Sequence, residues 1–177
     1  GLRDCLYVPA QALKALLQKT PSDLLPWLSD IKDVETRVGW RFFASMLDAD
    51  QRALIAGACH TALNTPADPM TSAVIVETVL MLSLGLGDID IARRVAIEPF
   101  WQSALLWRWE GGQFFALKDG ILAMSLLMPD DDCRRLIERA VEHLVHAYDS
   151  HGVDSTALAL AIAWHRCERA TDRVTSA

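Results

Sequence analysis

The chain has 177 residues, 51% of them hydrophobic and 23% charged, with a formal net charge of −6. That mixture excludes a disordered chain, and the length suits one domain with a substantial core. The acidic balance argues against a broad phosphate-binding surface, so nucleic acid is not an expected partner.

The longest apolar run, Ala73 to Leu86, is interrupted by Glu77, Thr78 and Ser83 and falls short of the roughly 20 residues that a bilayer-spanning helix needs. No basic-then-apolar leader opens the chain. The expectation is therefore a cytoplasmic protein without a membrane partner. Cys5, Cys59, Cys133 and Cys167 stand alone, with no C-x-x-C pair. They read as reduced thiols, some of them buried as small apolar groups. Gly1 as the first residue is compatible with a piece of a longer chain, and residues 1–177 read as one helical domain.

Taken in chain order, Thr20-Pro21-Ser22-Asp23 has the form of a helix start, with Thr20 as N-cap and Pro21 at the first helical position. Asp48 to Gln51 has the capping-box spacing. Asn64-Thr65-Pro66 and Asp68-Pro69 make a stop and a restart, and from Thr71 to Leu86 apolar residues lie nearly all round the helix, as in one enclosed by neighbours. Gly85 to Asp88 supplies a C-terminal glycine and then a new N-cap. A second largely apolar helix is predicted over Glu98–Glu110, and Gly111-Gly112 ends it. Pro129 to Asp132 and Gly152 to Asp154 repeat the punctuation. Between them a surface helix is predicted from Asp131 to about Ser150, with Cys133, Leu136, Ile137, Ala140, Val141 and Leu144 on its buried side. The last helix, Ser155 to Arg169, carries Ala157, Ala159, Ala161 and Ala163, whose small side chains permit a close helix approach. Alternating β-branched runs are missing.

The sum is an all-α domain of about eight or nine helices. They are expected to form antiparallel hairpins, stacked as an irregular α-α superhelix or gathered into a compact bundle. Leu86 to Arg94 resembles the middle of a tetratricopeptide unit, with Gly-Asp ahead of an Ala-containing helix, which implies a helical hairpin there. The resemblance has no second copy in register.

Candidate sites are few. Phe100, Trp101, Trp107, Trp109, Phe114 and Phe115 gather three of the six tryptophans into one segment. On a continuous helix Phe100 and Trp107 would share one face, and Trp101 and Trp109 an adjacent one. Trp101, Trp107, Trp109 and Phe114, with Arg108 free to stack on a ring, are therefore candidates for a partner- or ligand-binding patch. The competing reading places the same rings in an aromatic core. Glu77 lies among Ala73, Leu80, Met81 and Leu84. A carboxylate there needs either a raised pKa or a cationic partner. His60, His143, His146, His151 and His165 match no metal-ligand spacing, and Asp130 to Asp132 read as a helix cap. No nucleophile motif and no phosphate-cradling loop is present, so no catalytic residue, cofactor or metal is expected.

These features point to a non-catalytic scaffold or adaptor that binds another protein, including a second copy of itself. One alternative is a domain holding a small apolar ligand between the Thr71–Leu86 and Glu98–Glu110 helices, with Glu77 as its polar anchor. Another is an unrecognised helical enzyme.

Overall fold

The computed structural model describes residues 44–45, 47–108, 114, 116–146 and 153–175, without the side chains of 153 and 173–175. Its helices are α1 (Ala49–Leu63), α2 (Pro69–Leu86), α3 (Ile89–Ile97), α4 (Pro99–Leu105), α5 (Leu117–Leu127), α6 (Asp131–Val145) and α7 (Val153–Thr175). The chain is thus all-α over the described residues, where no strand occurs. Seven helices are described, against the eight or nine expected. The predicted start at Thr20 to Asp23 lies outside the described residues.

Short polar side chains set most of the helix starts. Asp48 Oδ1 accepts from the Gln51 amide at 2.9 Å, and Gln51 Oε1 accepts from the Asp48 amide at 3.2 Å, closing the capping box of α1. Asp68 caps α2 by accepting from the amides of Met70 and Thr71, each at 3.1 Å, with Pro69 next in line. Asp88 caps α3, and Asp130 caps α6 through the amides of Asp132 and Cys133. Gly87 ends α2 at φ +70°, a left-handed conformation that glycine adopts without the Cβ penalty.

The Asp68 cap has a pH signature. The hydroxyl and amide of Thr71 both donate to its carboxylate and hold it below the usual aspartate range. A depressed folded pKa contributes stability above the unfolded value of about 3.9, and that contribution is lost as pH falls through the folded value. Asp68→Asn keeps a cap but cannot titrate. In urea unfolding, the advantage of the natural chain over Asp68→Asn should shrink between about pH 5 and about pH 3. An unchanged difference would show that the carboxylate is not coupled to folding.

The core is built around α2. Every residue from Ser72 to Ser83 is buried, because α1, α3, α4 and α5 all pack on this helix. Next to it lies α5, which also touches α3, α6 and α7. Helices α2, α5 and α7 thus form one row, with α3, α4 and α6 along its side. The approach of α5 is close. A Cβ built on Gly120 would lie 2.7 Å from Leu105 Cδ1 and 3.1 Å from Leu80 Cδ1, so α2, α4 and α5 meet where only a glycine fits without a shift.

The two amphipathic helices follow their sequence pattern. On α6, Cys133, Leu136, Ile137 and Ala140 are buried, as predicted. Val141, predicted on the same side, is exposed, since it lies at the edge of the stripe. The helix closes at Val145, and residues 147–150 lie outside the described ones. On α7 the four alanines divide. Ala159 and Ala163 are buried, whereas Ala157 and Ala161 face outward.

Candidate functional site

The aromatic segment does not form the single helix predicted over Glu98–Glu110. Helix α4 starts after Glu98 and stops at Leu105, and Leu106 closes it. The Trp107 amide then donates to Ala104 O at 3.3 Å in a turn, and Arg108 forms an isolated antiparallel bridge with Phe114. The facial assignment of Trp107 and Trp109 assumed an unbroken helical rotation, which this turn ends. Trp109 and Phe115 lie outside the described residues.

The rings that are described separate by environment. Trp101 is 2% exposed, and its Nε1–H donates to Leu63 O at 3.0 Å. The indole therefore fills the core and satisfies a carbonyl that the end of α1 leaves without an intrahelical partner. Phe100 meets it edge-on, with centroids 4.9 Å apart and planes at 87°, and is itself 45% exposed. Trp107 and Phe114 are half-buried against the core, and Arg108 is exposed. The structure thus assigns Trp101 to the core reading. It leaves Trp107, Arg108 and Phe114 together where the chain turns back towards α5.

Glu77, the other candidate, is 2% exposed on α2 among buried Ala73, Leu80 and Met81. The apolar surroundings expected for it are present, and they keep it away from solvent. The space proposed for an apolar ligand, between α2 and the segment now resolved as α4, is where Leu80, Leu105 and the Gly120 backbone crowd together.

Arg94, which the sequence did not single out, joins several elements. Its guanidinium reaches Asn64 Oδ1 at 3.0 Å, Leu63 O at 3.4 Å and His60 O at 3.5 Å, and it pairs with Glu98 at 2.7 Å. Together with the Trp101 indole it caps the C-terminal end of α1 from α3 and α4, where cations and N–H donors are favoured. Arg52 does the same for α2 by donating to Leu86 O. Their signal in the sequence is only that of single arginines within helical runs.

Two surface pockets adjoin these elements. One, of about 300 Å³, lies between the α3–α4 corner and α6. Its polar groups satisfy one another, since Arg139 donates to Gln102 and Arg135 to Asp132. The other, of about 270 Å³, lies between the end of α5 and α7, beside Arg166 and Arg169. Among the described residues, no group of three or more His, Cys, Asp or Glu side chains could hold a metal ion.

Among the described residues the most exposed large apolar side chain, Leu158, is on α7. Leu158 is 62% exposed and Ile162 is 40% exposed, and they lie one turn apart beside the outward Ala157 and Ala161. On α6, Val141 and Val145 make a second exposed pair at the same spacing.

Comparison of the chain with known protein families, with curated proteins and with solved structures finds no match in any of the three.

Proposed function

We propose that the chain is a helical scaffold or adaptor that binds another protein through the outer face of α7. The observation that carries this reading is the apolar run Ala157, Leu158, Ala161 and Ile162, all exposed on the solvent side of one helix. Two alanines beside two large aliphatic side chains form a ridge on which a partner helix can approach closely and bury Leu158 and Ile162. The inner alanines of the same helix, Ala159 and Ala163, are buried in its packing against α5 and α6, so the outer pair offers a second helix the same kind of approach. The row α2–α5–α7, flanked by α3 and α6, is read as a short stack of antiparallel hairpins whose last member leaves one face uncovered. A second copy of the chain is the simplest partner, because a helix face can meet its own copy across a two-fold axis.

The test is a paired substitution, Leu158→Glu with Ile162→Glu. Both side chains are exposed, so circular dichroism and the melting midpoint should hold. Sedimentation from micromolar to hundreds of micromolar, and affinity capture from the source cells, then read association. A dimer, or a protein retained in fixed stoichiometry, that is lost in the substituted chain supports the proposal. A natural chain that stays monomeric and retains no protein overturns it, as does association that the two glutamates leave intact.

A further inference from the structure

We propose that the pocket between the end of α5 and α7 is a binding site for a small monocarboxylate with an apolar tail, held by the guanidinium groups of Arg166 and Arg169.

The pocket has a volume of about 270 Å³. Among the described residues it is lined by Ser125, Leu126 and Pro129 at the end of α5 and just beyond it, and by Arg166, Arg169 and Ala170 of α7. Arg166 and Arg169 are three positions apart, so they are neighbours on one helix face and bring two positive charges to one wall. No carboxylate among these lining residues offsets them. Asp130, the acid next to Pro129, already accepts from the amides of Asp132 and Cys133 and pairs with Arg93. Leu126, Pro129 and Ala170 make the rest of the wall apolar, and the Ser125 hydroxyl donates to Leu122 O at 2.9 Å.

Arg166 carries the observation that points to a ligand. Its Nη1 is buried, and among the described residues no acceptor meets it. A covered N–H without an acceptor costs stability, and folded proteins ordinarily supply one. This fold does so for its other partly covered arginines. Arg52 and Arg94 reach helix-end carbonyls, and Arg93 and Arg134 reach aspartates. Neither Arg166 nor Arg169 makes an ion pair with a described residue. Because no protein acceptor holds Nη1, a turn about the last torsions of the side chain brings it to the pocket without giving up a hydrogen bond. Arg169 is the more exposed of the two and supplies the second charge.

These features select the chemistry of the ligand. A guanidinium presents parallel N–H donors that match a carboxylate in bidentate fashion. The apolar wall offers no partner to a second polar end, so the remainder of the ligand is hydrocarbon. At about 30 Å³ for each water-sized group, the pocket accommodates about nine of them. That is the size of octanoate, and far less than a nucleotide or a long-chain lipid needs.

Octanoate is titrated into the full chain, with octan-1-ol, acetate and inorganic phosphate as comparisons, and binding is read by calorimetry and from the NMR signals of the arginine side chains and Ala170. Octanoate should bind one-to-one with a Kd of about 0.1–1 mM, an ordinary strength for a ligand of this size, and should move the signals of Arg166 and Ala170. Each comparison compound lacks either the charge or the tail and should bind at least about tenfold more weakly. Arg166→Met should weaken octanoate by about 10- to 100-fold, the loss of a charge-assisted pair. Its melting midpoint without ligand should hold or rise, because the variant sheds a covered donor that has no acceptor. The four-ligand comparison uses the natural chain alone, so it decides the question even if Arg166→Met folds poorly. Octanol equal to octanoate would reduce the pocket to an apolar groove, and phosphate equal to it would leave only a charged surface. Either result overturns the proposal, as does no binding at about 10 mM octanoate or binding that Arg166→Met leaves intact. A lower midpoint in a folded Arg166→Met chain would assign Arg166 to the fold and overturn its role towards a ligand.

Discussion

Trp101→Ala should destabilise the domain by about 3–5 kcal/mol, the range for deleting a buried large aromatic side chain. Three losses combine. The indole leaves a cavity among α1, α2 and α4, Leu63 O loses a donor, and Phe100 loses the ring it meets edge-on. Trp101→Phe should fall between that variant and the natural chain, because it keeps most of the apolar volume and gives up the donor, at a cost of about 1–3 kcal/mol. Phe100→Ala, at an exposed position, should cost about 1 kcal/mol or less. Urea unfolding followed by circular dichroism gives all three. Were Trp101→Ala neutral for stability yet damaging to binding, the ring would be a surface anchor and its assignment to the core would be wrong.

The second large effect concerns the junction of α2, α4 and α5. Leu105→Ala should cost about 2–5 kcal/mol, since the side chain is fully buried. Gly120→Ala alone places its Cβ against Leu105 Cδ1, so crowding opposes a helix-propensity gain of about 1 kcal/mol. In the Leu105→Ala background the obstructing atom is gone, and the new methyl group occupies part of the vacated space. The double variant should be more stable than the sum of the single effects predicts, by about 0.5–2 kcal/mol. Strict additivity in a double-mutant cycle would mean that Leu105 and Gly120 do not share this contact.

The helical architecture was largely legible because its signals are local. Asp48, Asp68, Asp88 and Asp130 each place a short acceptor ahead of a helical run and start a helix there, and Gly87 ends one. The all-round apolar character of Thr71–Leu86 likewise revealed an enclosed helix, and Glu77 is inside it. The candidate site was legible only in part. A cluster of aromatic residues has the same composition whether it faces a core or a partner, and Trp101 could be placed only by knowing that Leu63 lies opposite its indole. The break after Leu105 hid the separation of Trp107 from the helix, because no proline or glycine marks it. Ala157 and Ala161 were legible as small residues but not as outward-facing ones, since that depends on which side of α7 meets α5.

The enclosure of α2 has a consequence for how the protein is made. Among the described residues this is the one helix long and apolar enough to cross a membrane by length and composition, and in the finished fold most of it is covered. Translation completes it at Leu86, whereas its neighbours α3, α4 and α5 open only at Ile89, Pro99 and Leu117. Until those helices emerge, the nascent chain displays an apolar segment of the kind that chaperones hold and membrane insertion machinery recognises. The order of the helices along the gene therefore makes the C-terminal half an intramolecular shelter for the centre, and an incomplete chain is the form in which this protein is most at risk.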